Sequence, residues 1–177
     1  MINFETVRWK NFLSTGNQFT EIELNKDSTT LIIGENGAGK ATVLDALCVG
    51  LFGNPFRGIN KPQLLNTVNA SACIVEVEFS IGAKKIKVIR GIKPAVFEIY
   101  INGKMYNQDA NSRDYQKYLE QQIRKLNYRS FTQVVSLGSS TFVPFMQWKD
   151  RARREAVEAI LDPHIFSITK THSRPNT

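Results

Sequence analysis

The residues of this 177-residue chain best suited to chemistry are Gly34-Glu35-Asn36-Gly37-Ala38-Gly39-Lys40. A short apolar run, Thr29 to Ile33, leads into them, and a helical pattern opens at Lys40. In that setting a G-x-x-x-x-G-K run makes a phosphate cradle. The glycines allow a tight loop whose successive backbone N–H groups converge on one phosphate, and the positive end of the following helix adds to their field. Lys40 reaches the β- and γ-phosphate oxygens as a mobile point charge. A glycine-rich turn of purely structural use explains the glycines but leaves the lysine without a reason. The set expected to touch ATP is Gly34, Asn36, Gly37, Ala38, Gly39, Lys40, Ala41 and Thr42. Within it, Asn36 either bonds a phosphate oxygen or merely holds the loop.

One position departs from the pattern. A Ser or Thr after the lysine would place a hydroxyl on the nucleotide's Mg²⁺, and this chain has Ala41. Alanine is an excellent helix former, so the fold is expected to tolerate it. Thr42 carries a hydroxyl, but one residue further on it is rotated by about 100° around the helix and is not expected to inherit the metal. Nucleotide binding should therefore survive, with weaker metal positioning.

The elements that must present this loop are legible in outline. Ile2 to Trp9 is rich in β-formers and Phe19 to Leu24 alternates, which predicts a hairpin or two neighbouring strands. Thr29–Ile33 predicts a buried strand. Lys40 to Phe52 predicts a helix with Val43, Leu44, Leu47 and Leu51 on its inner face, stopped by Gly53-Asn54-Pro55. A polar connection runs to about Ala70. Strands follow at Cys73–Ile81, Lys84–Ile89 and Val96–Ile101, forming an antiparallel sheet separate from the strand before Gly34. Asn102-Gly103 is a hairpin signal. Asn111 to Leu126 predicts an amphipathic helix with Tyr115, Leu119, Ile123 and Leu126 inward. Phe131–Leu137 predicts a strand, Gly138–Gln147 a loop, and Lys149–Leu161 a final helix. That helix has Arg151, Arg153 and Arg154 near its start, against the helix dipole, so a nearby acid or solvent must compensate. The order argues a mixed α/β fold in one well-buried domain, residues 1–162, with a polar tail over 163–177.

Composition narrows the class. Apolar residues make up 42% and charged residues 22%, as in a globular protein. No apolar run is long enough to cross a bilayer, and the charged N-terminal stretch does not read as a secretory signal. Cys48 and Cys73 have no pairing or metal spacing and read as reduced core thiols of a cytoplasmic protein. The net charge of +7 is unevenly spread. Residues 1–80 carry six Lys/Arg against eight Asp/Glu, and residues 81–177 carry seventeen against eight. A basic second half points to a polyanion, with a solvated surface as the plain alternative. Lys117, Arg124, Lys125 and Arg129 are the candidates for DNA phosphates.

VRWKNFLS, then LIIGENGAGKATVLDAL with GLFG, resemble the N-terminal lobe of SMC-like DNA-repair ATPases, the large subunits of SbcCD-type nuclease complexes. FTQVVSLGSSTFVPFM followed by RARREAVEAILD resembles more closely the recombination-endonuclease large subunit of T-even-like phages. The resemblance covers about residues 1–166. It implies a P-loop NTPase fold of the ABC/SMC type, in which an N-lobe with a mixed sheet and an antiparallel β subdomain is joined through a coiled coil to a C-lobe. The C-lobe would carry the signature sequence and the acidic pair that orients Mg²⁺ and water. The implied cofactors are ATP and Mg²⁺. The implied partners are a nuclease subunit of the SbcD kind, the C-terminal lobe, DNA and a second head in an ATP-dependent dimer, with no membrane. The location implied is the cytoplasm, the host's if the gene is a phage's.

By the same resemblance Lys10 and Asn11 lie near the nucleotide, although alone they read as a strand end. Arg151, Arg153 and Arg154 match a helix that couples nucleotide state to the coiled coil. Relatives place a metal-sensing Gln in the loop after the last apolar strand. Here Leu137, Ser139 and Ser140 flank Gly138, while Gln133 lies within the strand pattern. Ser139 or Ser140 would reach the metal through water, or would belong to an ordinary polar loop. No C-lobe motif is present, and after Asp162 the sequence PHIFSITKTHSRPNT takes the place of a coiled coil. Catalytic residues are therefore not expected within this chain. Turnover is expected only by family, and a nucleotide- and DNA-binding module without turnover is the first alternative. A transporter-type cassette or a recombination mediator is the second.

Overall fold

Six strands pair into one sheet in the computed structural model, which describes residues 2–106, 112–122, 128, 131–132, 149–150, 153–154 and 157. The strands are β1 (Ile2–Lys10), β2 (Thr20–Glu23), β3 (Cys73–Ile81), β4 (Lys84–Ile92), β5 (Val96–Ile101) and β6 (Lys104–Met105). Their order is β2-β1-β3-β4-β5-β6, and every pairing is antiparallel. The hairpin expected at the start is β1–β2, and it belongs to the same sheet as the later strands. Asn102 and Gly103 both have positive φ, 49° and 78°, the conformation of a two-residue type I′ turn. Asn102 Oδ1 also accepts the Lys85 N–H at 2.9 Å, fixing the turn to the neighbouring strand.

Alternation decides which side is core. Cys73, Val75, Val77 and Phe79 of β3 are buried under helix α1 (Thr42–Phe52), together with Val7, Trp9, Ile86, Val88 and Ile99. Gly50 is the point of closest approach. A Cβ there would stand 2.3 Å from Val77 Cγ2, so only glycine lets the helix backbone come this near. The opposite face is polar. Glu76 Oε2 holds Arg8 Nη2 at 2.7 Å and Lys87 Nζ at 2.8 Å, and Lys87 also reaches Glu78 at 3.1 Å.

Three expectations change. Thr29–Ile33 forms no strand, and Leu31, Ile32 and Ile33 are 80%, 44% and 84% exposed. β1 is already paired on both sides by β2 and β3, so this sheet offers the segment no inner place. On α1, Leu44 and Leu47 are only half-buried, whereas Ala46, Cys48 and Val49 are fully so. The helix is apolar almost all round, which leaves periodicity a weak guide to its inner face. Phe131 and Thr132, expected to open a strand, are buried in a helical turn, since β-propensity is a context-dependent preference that packing overrides. The rest of that strand lies outside the described residues.

Helix α2 (Ser112–Gln122) buries Tyr115 and Leu119 as its period requires, while Ile123 and Leu126 lie outside the described residues. The chain divides into two compact units, Met1–Gln122 and Ile123–Thr177. In the second, Asp150, Arg153, Arg154 and Val157 are helical, and Arg153 N–H donates to Lys149 O at 3.1 Å. The boundary expected after residue 162 falls outside the described residues.

Candidate phosphate-binding site

The loop from Gly34 to Lys40 is bent by Gly37 and Gly39, at φ 90° and 89°, a region that costs any other residue strain. Ala38 N–H donates to Glu35 O at 3.2 Å and Thr42 N–H to Gly39 O at 2.9 Å, so the turn passes directly into α1. Lys40 folds back over its own loop, and its Nζ donates to Gly34 O at 2.6 Å and Glu35 O at 2.7 Å. The ammonium is thus held at the loop by two carbonyl dipoles, with one of its three donors left for an anion. Gly34 is also tight, since a Cβ there would stand 3.3 Å from Ala38 Cβ. Asn36 is exposed at the turn.

At the start of α1, Ala41 occupies the cap position and makes no side-chain cap bond. The first-turn N–H groups therefore face no internal competitor from the cap side chain. Thr42 is buried, and its Oγ1 lies 3.5 Å from where a Gly39 Cβ would stand. One turn further in, Asp45 is fully buried and would repel a phosphate if left alone. Its carboxylate instead accepts Arg57 N–H at 3.0 Å and Arg57 Nε at 2.6 Å, with Nη2 also at 2.6 Å. Both guanidinium nitrogens meet Oδ2 while the backbone N–H takes Oδ1, and the pair neutralises the buried acid. Sequence reasoning missed it, although a lone Asp among the apolar residues of VLDALCVGLF was the available signal.

Asn11 and Lys10 are placed differently from one another. Asn11 is buried at φ 49°, with its side chain committed within the protein. Its Oδ1 accepts Asn69 Nδ2 at 2.6 Å, and its Nδ2 donates to Asn17 Oδ1 at 3.1 Å and Ala72 O at 3.3 Å. Asn66 extends this knot by donating to Leu13 O and Thr15 O, so two loops are tied together by asparagines. The Lys10 ammonium lies 5.1 Å from the centroid of the Phe19 ring.

Of the basic residues expected at DNA, Lys117 is exposed on α2, and Arg124, Lys125 and Arg129 lie outside the described residues. Arg151, Ser139 and Ser140 lie outside them too. Arg153 is paired with Asp150, the acid that relieves its place in a first helical turn, and Arg154 is exposed. Among the described residues no three His, Cys, Asp or Glu side chains group to hold a metal, and no helix is long and apolar enough to cross a membrane.

With this geometry in place, known proteins offer a measure. The AAA domain family matches residues 6–165. Exonuclease subunit 2 of Enterobacteria phage T4 is 44% identical over 164 residues, which cover 92% of this chain and 29% of the phage protein. The DNA double-strand break repair Rad50 ATPase of Methanococcus maripaludis is 28% identical over 162 residues, which cover 89% of this chain and 15% of the archaeal protein. The chain thus spans less than a third of these relatives. Among solved structures, one described under ATP-driven dimerization and DNA-stimulated activation of SMC ATPases superposes with a TM-score of 0.56 at 20% identity. It covers 90% of this chain and 99% of its own. That likeness shows a shared fold, the α/β P-loop lobe of an ATPase head.

Proposed function

The chain belongs to the AAA domain family, and from that premise we propose that it is the ATP-binding N-lobe of an SMC-like ATPase of DNA double-strand-break repair and recombination. In this reading ATP-driven engagement of two heads controls a nuclease subunit of the SbcD kind at DNA ends, in the cytoplasm. The observation that carries it is the Gly34–Lys40 loop, closed by its own lysine and opening directly into α1. Backbone N–H groups and Lys40 bind the phosphates, and Gly37 and Gly39 allow the loop to wrap them. Asn11 acts through the asparagine knot that shapes its loop, and Lys10, Asn36 and Thr42 complete the surroundings of the nucleotide.

Replacing Lys40 with Ala is expected to remove most ATP affinity, measured by equilibrium binding. Unchanged affinity would defeat the reading. The metal follows a separate logic. When bound, Mg²⁺ neutralises charge on the β- and γ-phosphates, and Ala41 denies it the usual hydroxyl. Ala41→Ser is expected to leave metal-free ATP affinity unchanged and to raise its magnesium dependence. If the magnesium dependence does not rise, Thr42 or a serine at 139–140 holds the cation. The same alanine favours a second reading, a lobe that binds nucleotide and DNA without turnover. Hydrolysis assayed with a separately expressed C-lobe decides between the two.

The C-lobe is also the partner proposed for the exposed Leu31–Ile33 segment. An apolar run with open backbone groups accepts an added strand, and binding there would bury three aliphatic side chains beside the phosphate loop.

A further inference from the structure

Helix α1 carries the phosphate loop at its N-terminal end, and its other end is closed from outside. No basic residue lies in its last turn. Gly53, left-handed at φ 73°, returns its N–H to Val49 O at 2.8 Å. The next carbonyls are taken by Arg90 of β4, whose Nε donates to Gly50 O at 2.7 Å and whose Nη2 donates to Leu51 O at 3.3 Å. The guanidinium lies 3.6 Å from the centroid of the Phe97 ring on β5. Nη2 also donates to Gln116 Oε1 of α2. Gln116 in turn donates from Nε2 to Glu120 Oε1 at 2.8 Å and to the same Leu51 carbonyl at 3.5 Å. Tyr115, beside it, meets Phe97 edge to face with centroids 5.7 Å apart.

This is more than a helix cap requires. A solvated lysine in the last turn would satisfy the dipole, whereas here burial pushes the Arg90 pKa down to about 10, against the pull of Glu120. A planar fork is needed where one side chain must address two carbonyls, an aromatic face and an amide together. We propose that Arg90 and Gln116 are positioning residues that tie the far end of the phosphate-loop helix to α2 and pass nucleotide occupancy along it. The inference rests on α1 carrying a nucleotide site. An α1 of eleven residues is a rod of about 16 Å. An anion bound at one end shifts a rod whose other end is held by Arg90, and the shift appears at the element sharing that guanidinium. The described part of α2 runs to Gln122, the last residue of the first unit.

Hydrogen exchange on the intact chain, with and without ATP, tests this in the wild type, Gln116→Leu and Arg90→Lys. Gln116→Leu keeps the helix and serves if Arg90 variants do not fold. In the wild type ATP is expected to slow exchange both at residues 34–44 and at residues 112–122. In Gln116→Leu the first effect should remain and the second should be lost. By reciprocity ATP affinity should fall by roughly fivefold. Arg90→Lys, which retains the charge without the fork, should behave the same way. Protection at 34–44 with none at 112–122 in the wild type overturns the coupling alone. Equal protection of α2 in wild type and Gln116→Leu overturns it too. No response at 34–44 overturns the nucleotide reading and this inference with it.

Discussion

CIVEVEFSI and TTLIIG are comparably rich in aliphatic residues, yet they meet opposite fates in this chain. The first is β3, bonded to β1 on one side and β4 on the other and covered by α1, so that Val75, Val77 and Phe79 are almost wholly buried. The second stands open, with Leu31 and Ile33 four-fifths exposed. Apolar composition makes burial favourable, but a strand is buried only where neighbours satisfy its backbone on both edges. The sheet completes the burial of β3, whereas it leaves the lead-in to the Gly34–Lys40 loop open.

The contrast is tested most severely by Phe79→Ala. Phe79 is 1% exposed and packs against Phe4, their ring centroids 5.8 Å apart. Its truncation is expected to cost about 3–5 kcal/mol in urea denaturation. A loss under about 1 kcal/mol would mean the sheet is not the core. Next in size is Gly50→Ala, which places a methyl 2.3 Å from Val77 Cγ2. Overpacking of about 1–3 kcal/mol should outweigh the roughly 1 kcal/mol that alanine adds to an exposed helix position. Adding Val77→Ala to the same chain should recover stability, and failure to do so would place the strain elsewhere.

The two core thiols give a smaller, pH-dependent effect. Burial, with Asp45 adding to it at Cys48, pushes that thiol up to about 12, and burial alone pushes Cys73 up to about 11, from an ordinary 9.0. The folded state therefore keeps these protons after the unfolded chain has released them. Their contribution is full below pH 9 and is lost as pH rises from 9 toward 11 and 12, by about 1 kcal/mol per thiol at pH 10. Denaturation midpoints at pH 8, 9 and 10 should show that fall, and a Cys48→Ala, Cys73→Ala chain should show a flatter one. The smallest effect belongs to the open segment. Ile33→Ser should change the stability of this chain by less than about 0.5 kcal/mol. The same substitution should weaken association with a C-lobe, and a large loss in the isolated chain would erase the contrast between the two regions.

The phosphate loop was legible because its demands are local. Gly37 and Gly39 supply positive φ within their own turn, and Lys40 reaches back only five and six residues. Asn102-Gly103 and the Tyr115–Leu119 face of α2 were legible for the same reason. The failure of Thr29–Ile33 as a strand was not, since its own residues favour the strand and only the folded sheet shows that none of the six strands pairs with it. The inner face of α1 was misjudged because a helix apolar on every side carries no phase. Chain-local chemistry, then, settled the bend of the loop between Gly34 and Lys40. Tertiary structure alone decided that Arg57 neutralises Asp45 and that Arg90 closes α1 from forty residues away. Arg90's place under α1 is fixed by sheet register and by the close approach at Gly50, which exist only once the chain has folded.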